Sequence, residues 1–300
     1  MPFRLSSLLD LQSLSSNQIE DIFSFALDLK AKPRSMRQKG EAVMLAFFEA
    51  STRTRLSFET AAYRAGLGPL IFDGGLKTSL EKGETVEDSL LNMAAMLPQV
   101  LVVRCGDSVN LAEVASHLKV PILNAGWGVK GHPTQALLDI LTLKSKWKAV
   151  TGKKLLIVGD LKHSRVAASH VELSEKLGIE LGQCGPQGFL LENPKVQTFS
   201  SLKEALSWAD AAMALRFQFE RHDASIAFSK EDYRGNFGFS PESVKFLRKD
   251  AWIMHPGPIN HGIEMETEVL SDPRSIVLEQ VQHGVFIREA LLRMVLGENL

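Results

Sequence analysis

The chain has 300 residues, 45% of them hydrophobic, enough to bury a full core and a length that suits two ordinary domains better than one very large one. Its 34 lysines and arginines nearly cancel its 35 aspartates and glutamates, and neither sign collects in a long block. That balance argues against nucleic acid or a membrane as the main partner and leaves a small-molecule site as the better fit.

The N-terminus, MPFRLSSLLDLQSLSSNQ, is broken by Ser and Asp and lacks the apolar core of a secretory signal or an anchor. No later segment approaches the uncharged apolar length of a spanning helix, so a cytoplasmic location is expected. Ser15 or Ser16 can cap a first helix carrying Ile19, Ile22, Phe23, Ala26 and Leu27 on one side. Val43 to Phe48 then reads as a buried strand, being short, nearly continuous and succeeded by polar residues. A second helical stripe comes next in Val86, Leu90, Met93, Ala94 and Leu97. Val100 to Val103 is the next buried strand, then come a helix from Leu111 to Leu118, a strand from Pro121 to Asn124 and a helix from Pro133 to about Trp147. In the second half, the strands Leu155 to Val158 and Ala211 to Leu215 flank a helix from Arg165 to Leu177.

Strand and helix in repetition is the pattern of a parallel sheet covered by helices on both faces. The fold class expected is α/β, with two doubly wound domains. Lys148 to Lys154, KAVTGKK, is the best linker, so residues 1–148 form the first domain and 149–274 the second. The last helix, within 275–300, comes after a loop with Pro258, Gly262 and Pro273 and can return to the first domain. Cys105 and Cys184 form no CxxC and read as free thiols.

In such sheets ligands sit beyond the carboxyl ends of the strands, so the residues just past each strand matter most. After the first strand comes Glu49-Ala50-Ser51-Thr52-Arg53-Thr54-Arg55. A helix starting within Ser51 to Thr54 brings free amides, a helix dipole and hydroxyls onto one spot, where an anion belongs. Arg53 adds a fork suited to phosphate oxygens, while Arg55 is placed to pair with a carboxylate such as Glu59. Arg104 ends the next strand, and His132, before the helix-opening Pro133, can face the same space with Gln135. In the second half Arg165 and Arg216 come after strand ends, which points to a substrate with carboxylates. Walker A, GxGxxG, HExxH and G-x-S-x-G patterns are absent, and no Cys/His cluster has metal spacing. No cofactor or metal is therefore expected. What remains is a donor-rich site with no evident nucleophile, suited to holding two anions together and stabilising charge on an oxygen.

Phe47-x-Glu49-Ala50-Ser51-Thr52-Arg53-Thr54-Arg55-x-Ser57-Phe58-Glu59 resembles the carbamoyl-phosphate motif of the aspartate and ornithine carbamoyltransferases, and His132-Pro133-Thr134-Gln135 is similar to their second motif. Lys82-Gly83-Glu84-Thr85 resembles the mobile loop of the aspartate branch, and Arg216-x-Gln218-x-Glu220-Arg221 its aspartate motif. His255-Pro256-Gly257-Pro258 also fits that branch, whereas the ornithine branch carries His-Cys-Leu-Pro.

The resemblance implies transfer of a carbamoyl group from carbamoyl phosphate to L-aspartate, an early step of pyrimidine synthesis. By it, Ser51, Thr52, Arg53 and Thr54 hold the phosphate; Thr54, Arg104 and His132 donate to the carbonyl oxygen; Gln135 and the carbonyl of Pro258, next to Gly257, hold the carbamoyl NH2. Arg165, Arg216 and Gln218 take the aspartate carboxylates. Lys82, with Thr78 or Ser79, arrives from a neighbouring subunit, which implies a homotrimer with shared sites. Regulatory or dihydroorotase chains are further partners of such assemblies. The alternatives are carbamoyl transfer to another amine such as ornithine, and a catalytically silent scaffold subunit. Two departures stand out: His261 replaces the arginine common after Pro-x-Asn, and Asp232 to Ser240, with Gly235 and Gly238, reads as unusual on the aspartate side.

Overall fold

The computed structural model describes residues 4–34, 40–74, 78–219 and 228–299. Packing divides the chain into two units, Met1–Leu138 with Val281–Leu300, and Asp139–Gln280.

The first unit is built on four parallel strands, β1 (Ala42–Phe47), β2 (Gly68–Asp73), β3 (Val100–Cys105) and β4 (Ile122–Trp127), in the order β2-β1-β3-β4. Val43 to Phe47 and Val100 to Val103 are buried, as expected of central strands covered on both faces. The run expected at Pro121 to Asn124 continues to Trp127, because Ala125 and Gly126 stay buried against β3. β2 is an edge strand that leaves Leu70 and Ile71 about half exposed, so it has no continuous buried run to announce it in the sequence.

Helix α1 (Ser16–Ala31) starts at a capping box in which Ser15 and Gln18 satisfy each other's backbone amides. It buries Ile19, Ile22, Phe23 and Ala26, but Phe25 and Leu29 complete the stripe in place of Leu27, which is half-buried. A helical face repeats at three and four residues, and position 29 continues from 22 and 26 where 27 does not. The remaining helices of this unit are α2 (Thr52–Ala65), α3 (Val86–Ala95) and α4 (Leu111–His117), with a 3-10 turn at Ser79–Lys82. The side chain of Ser79 lies outside the described residues. Leu97, expected on the α3 stripe, is instead 81% exposed with φ 60°, since the helix stops at Ala95 and the chain reverses there into β3.

The second unit holds β5 (Lys154–Val158), β6 (Glu180–Cys184), β7 (Gln197–Phe199), β8 (Ala211–Ala214) and β9 (Trp252–Met254), parallel in the order β7-β6-β5-β8-β9. Helices α6 (Arg165–Leu177), α7 (Leu202–Trp208) and α8 (Lys230–Phe237) belong to it. Two longer helices, α5 (Pro133–Lys146) and α9 (Val277–Val295), give residues to both units, since the division falls after Leu138 and after Gln280. In each sheet the crossover places the unit's first strand inside, the arrangement of doubly wound α/β folds.

The C-terminal part of α9 is tied into the first unit by buried charge. Arg293, 1% exposed, donates to Glu289 Oε1 (3.1 Å), Glu298 Oε2 (2.9 Å) and the carbonyl of Arg64 (2.9 Å). Glu289 also accepts from Arg64 Nε at 2.6 Å. One turn earlier, buried Arg288 donates to Ser57 Oγ on α2 at 2.7 Å, beneath Gly284, where a Cβ would come within 2.6 Å of the guanidinium. Removing one partner of a buried pair strands the other's charge, typically at a cost of about 3–5 kcal/mol. Arg293→Ala is accordingly expected to lower the denaturant midpoint steeply, while Arg293→Met combined with Glu289→Leu recovers much of the loss; equilibrium unfolding in urea checks both.

Candidate active site

Parallel strands place every carboxyl end on one edge of a sheet, and in the first unit that edge collects the predicted residues. Phe47 is in register with both Asp73 on β2 and Arg104 on β3, and the Phe48 amide donates to the Arg104 carbonyl at 2.8 Å. Ser51 therefore begins its turn beside Arg104. The helix starts at Thr52 with Ser51 as N-cap, inside the expected window, and the Ser51 side chain makes no capping hydrogen bond. The first-turn amides and the hydroxyls of Ser51 and Thr52 are thus gathered at one helix start, an arrangement chemically suited to an anion.

The two arginines of the turn divide their work. Arg55 is engaged by Asp73 Oδ2 at 2.6 Å and Glu59 Oε1 at 3.3 Å, the latter pairing as expected. Arg53 is exposed and makes no ion pair among the described residues. Partial burial of its guanidinium pushes its pKa down from the usual arginine value, which marks a cation whose lost hydration is not offset by a countercharge. It remains protonated at any physiological pH. Thr54, 8% exposed, lies on the inner side of the same turn.

Arg104 is half-buried with its Nε 3.7 Å from Glu49 Oε2. Glu49 belongs to the motif, but nothing in its spacing assigns it this role, because only the register of β1 on β3 brings the two together. His132 is 4% exposed and its carbonyl accepts from the amides of Gln135 and Ala136, so it opens α5 from the cap position with Pro133 as first helical residue. Gln135 is also buried. The loop that delivers them is pinned at Gly128, where φ is +46° and a Cβ would lie 1.8 Å from Asp107 Oδ1 and 2.8 Å from the Asp107 amide. Asp107 Oδ1 also accepts from the Val129 amide at 2.7 Å, and the Gly128 amide donates to the Cys105 carbonyl at 2.9 Å.

The second unit repeats the device. Val158 is in register with Ala214, and the Leu215 amide donates to the Val158 carbonyl, so the turns carrying Arg165 and Arg216 leave the sheet side by side. Buried Asp160 accepts from the His163 amide (3.1 Å) and faces its Nδ1 at 3.0 Å, shaping the turn before α6. Ser164 caps that helix through the Ala167 amide, and Arg165 is its first residue. Beyond β8, Phe217 is fully buried while Arg216 and Gln218 are half-buried, as alternation along an extended segment requires. Phe217 is anchored among Phe189 (5.3 Å), Phe219 (4.6 Å) and Tyr233 (4.7 Å between centroids). Burial, with the charges of Glu264 and Asp160, pushes the Tyr233 hydroxyl well above its ordinary pKa and keeps it neutral.

The loop after β9 holds Gly257, at φ 70°, in a cis peptide bond to the exposed Pro258. His261 is exposed, with Nδ1 3.2 Å from Thr267 Oγ1. Of the segment Asp232 to Ser240, residues up to Phe237 lie in α8, Gly238 is its C-cap and Phe239 is buried, with Ser229 and Asp232 completing the capping box at the helix start. Thr78 is half-buried and Lys82 exposed at the end of the 3-10 turn. Glu220 and Arg221 of the aspartate-side motif lie outside the described residues. Among the described residues no group of His, Cys, Asp and Glu is arranged to hold a metal, and no helix is long and apolar enough to cross a membrane.

Fold and site together define an α/β protein that gathers arginine and other hydrogen-bond donors at the carboxyl edges of two parallel sheets. The model of the aspartate/ornithine carbamoyltransferase carbamoyl-P binding domain matches residues 6–145, and that of the Asp/Orn binding domain matches residues 151–295. An aspartate carbamoyltransferase catalytic subunit of Syntrophotalea carbinolica is 37% identical over 99% of this chain and 97% of its own length. Its counterpart in Nitratiruptor is 39% identical over 96% and 98%. The aspartate transcarbamoylase of Trypanosoma cruzi, solved with carbamoyl aspartate and phosphate, superposes with a TM-score of 0.87 at 28% identity, covering 97% of this chain and 95% of that one. The ornithine carbamoyltransferase of Thermus thermophilus superposes with a TM-score of 0.86 at 25% identity, covering 98% and 100%. The chain belongs to the aspartate/ornithine carbamoyltransferase family.

Because Gly128 carries a positive φ against a backbone amide, Gly128→Ala is expected to cost about 1–3 kcal/mol. The same change displaces the loop leading to His132, so catalytic turnover falls along with the thermal midpoint; parallel calorimetry and assay of the variant check this.

Proposed function

We propose that this enzyme transfers the carbamoyl group of carbamoyl phosphate to the amine of L-aspartate, giving N-carbamoyl-L-aspartate and phosphate, in the cytoplasm as an early step of pyrimidine synthesis. The observation that carries the phosphate side is the helix start at Thr52, where the Ser51 side chain makes no capping hydrogen bond and Arg53 is uncompensated. Ser51, Thr52, Arg53 and Thr54 bind the phosphate. Thr54, Arg104 and His132 donate to the carbonyl oxygen, and Gln135 with the Pro258 carbonyl, beside Gly257, takes the carbamoyl NH2.

In the second unit, Arg165, Arg216 and Gln218 bind the two carboxylates of aspartate. The aspartate relatives support this choice of amine. So does His255-Pro256-Gly257-Pro258, where the ornithine branch has a cysteine; the similarity of the folds themselves favours neither substrate. A silent scaffold has no use for Arg53, Arg104, Arg165, Arg216, His132 and Lys82 together, and all six are present.

The uncharged amine attacks the carbamoyl carbon, and the carbonyl π electrons move onto oxygen. There Arg104, His132 and Thr54 stabilise the growing charge. Collapse expels phosphate, which accepts the proton lost by the amine, so no side chain is needed as a base. Each prearranged donor of this kind is typically worth about 3 kcal/mol, or roughly a hundredfold or more in rate.

Lys82, with Thr78 or Ser79, serves the site of a neighbouring copy in a homotrimer. Leu56, Tyr63, Leu70 and Ile71, each about half exposed or more on α2 and the edge strand β2, support a partner copy on that side. A native mass of three chains is expected, larger if regulatory or dihydroorotase chains join.

With carbamoyl phosphate supplied, the purified protein is expected to carbamoylate L-aspartate; turnover of L-ornithine alone overturns the assignment. Arg53→Ala is expected to abolish turnover while leaving the folded assembly intact, as checked by product assay and native mass.

A further inference from the structure

Arg216 is half-buried, and its side chain leans on a residue from a distant part of the chain: Arg216 Nε donates to Asn260 Oδ1 at 3.3 Å. The other end of the same amide, Asn260 Nδ2, donates to the Phe217 carbonyl at 3.3 Å. A donor on one side and a carbonyl on the other fix which way the amide faces. One planar side chain thus grips both the guanidinium and the backbone immediately after it.

Asn260 is itself held from behind. Its backbone amide donates to Glu264 Oε1 at 2.5 Å, and Glu264 is fully buried. His255 Nε2 lies 3.3 Å from the same oxygen, and His255 Nδ1 accepts from the Gly257 amide at 2.8 Å. The His255 amide in turn donates to Gln280 Oε1 (3.0 Å), and Gln280 Nε2 donates to Asp139 Oδ1 (2.7 Å). Asp139 Oδ2 sits 3.0 Å from His170 Nε2, with both side chains wholly buried. All these residues belong to the second unit, so the hydrogen-bonded line runs from the packed helices through the loop after β9 to Arg216 within one unit.

We propose that Asn260 is a positioning residue for recognition of the acceptor substrate: it fixes the plane of the Arg216 guanidinium so that the fork meets a substrate carboxylate already aligned. This rests on the reading of Arg216 as an aspartate ligand. A guanidinium held at Nε keeps its two terminal nitrogens in a fixed plane, which removes an ordering cost from carboxylate binding. Asparagine suits the place where aspartate does not. A carboxylate there would oppose the Phe217 carbonyl, lone pair to lone pair, and the bridge to the backbone would be lost.

The test is steady-state kinetics on the whole protein with both substrates varied. Asn260→Ala is expected to raise KM for L-aspartate about tenfold to a hundredfold, with the KM for carbamoyl phosphate unchanged and kcat within a few-fold. Asn260→Asp is expected to be at least as poor. In the double variant Asn260→Ala with Arg216→Ala, the loss is expected to match that of Arg216→Ala alone, because Asn260 acts through that arginine. A general loosening of the loop lowers kcat or the fraction of active protein and adds to the Arg216→Ala loss; either pattern overturns the proposal. If Asn260→Ala does not fold, Asn260→Ser, which keeps an oxygen but not the bridge, serves with the same expectations. A parent protein inactive on aspartate refutes the functional reading and this proposal with it, whereas an active parent with an unchanged aspartate KM in the variants refutes this proposal alone.

Discussion

Parallel pairing of the strands is the constraint on which the rest of the molecule depends. It requires every connection to cross back over a face, which supplies the helices, and it delivers every strand's carboxyl end to the same edge. The register of Phe47 with Arg104 and Asp73 then does for the first unit what that of Val158 with Ala214 does for the second. Residues far apart in the chain become neighbours through backbone pairing, before any side chain makes a contact. The chemistry at each edge is thus positioned by backbone hydrogen bonds, the least negotiable interactions in the molecule.

The central strands β1, β3, β5 and β8 were legible because they are covered on both faces and carry uninterrupted apolar runs. The helix start at Thr52 was legible because its residue types serve one purpose, capping and anion binding, wherever they occur. β2, β6, β7 and β9 were not: β2, β7 and β9 are short or at an edge and present mixed surfaces, and β6, though central, breaks its apolar run with Gly182 and Gln183, so periodicity cannot separate any of them from loop. The stripe errors at Leu27 and Leu97 have a similar origin: apolar residues near a helix's end or flank satisfy the pattern without occupying the core.

At the site, the arginines and His132 could be named from their position after strands, yet their partners could not. Nothing in the spacing joins Glu49 to Arg104, Asp73 to Arg55 or Asn260 to Arg216; sheet register and loop path create those pairs. Sequence reading thus names candidate side chains at strand ends more readily than the side chains that hold them still. The pairing of Arg55 with Glu59 could be read from their spacing, but its second partner, Asp73, comes into reach only once β2 lies beside β1.

Leu138 and Asp139 are consecutive residues of α5, yet packing assigns them to different units, and Gln280 and Val281 part in the same way on α9. Both passages are therefore made by continuous helix. Midway along α5, Asp139 accepts from Gln280 Nε2 of α9 at 2.7 Å, so the two continuous helices are joined to each other by a buried hydrogen bond inside the second unit.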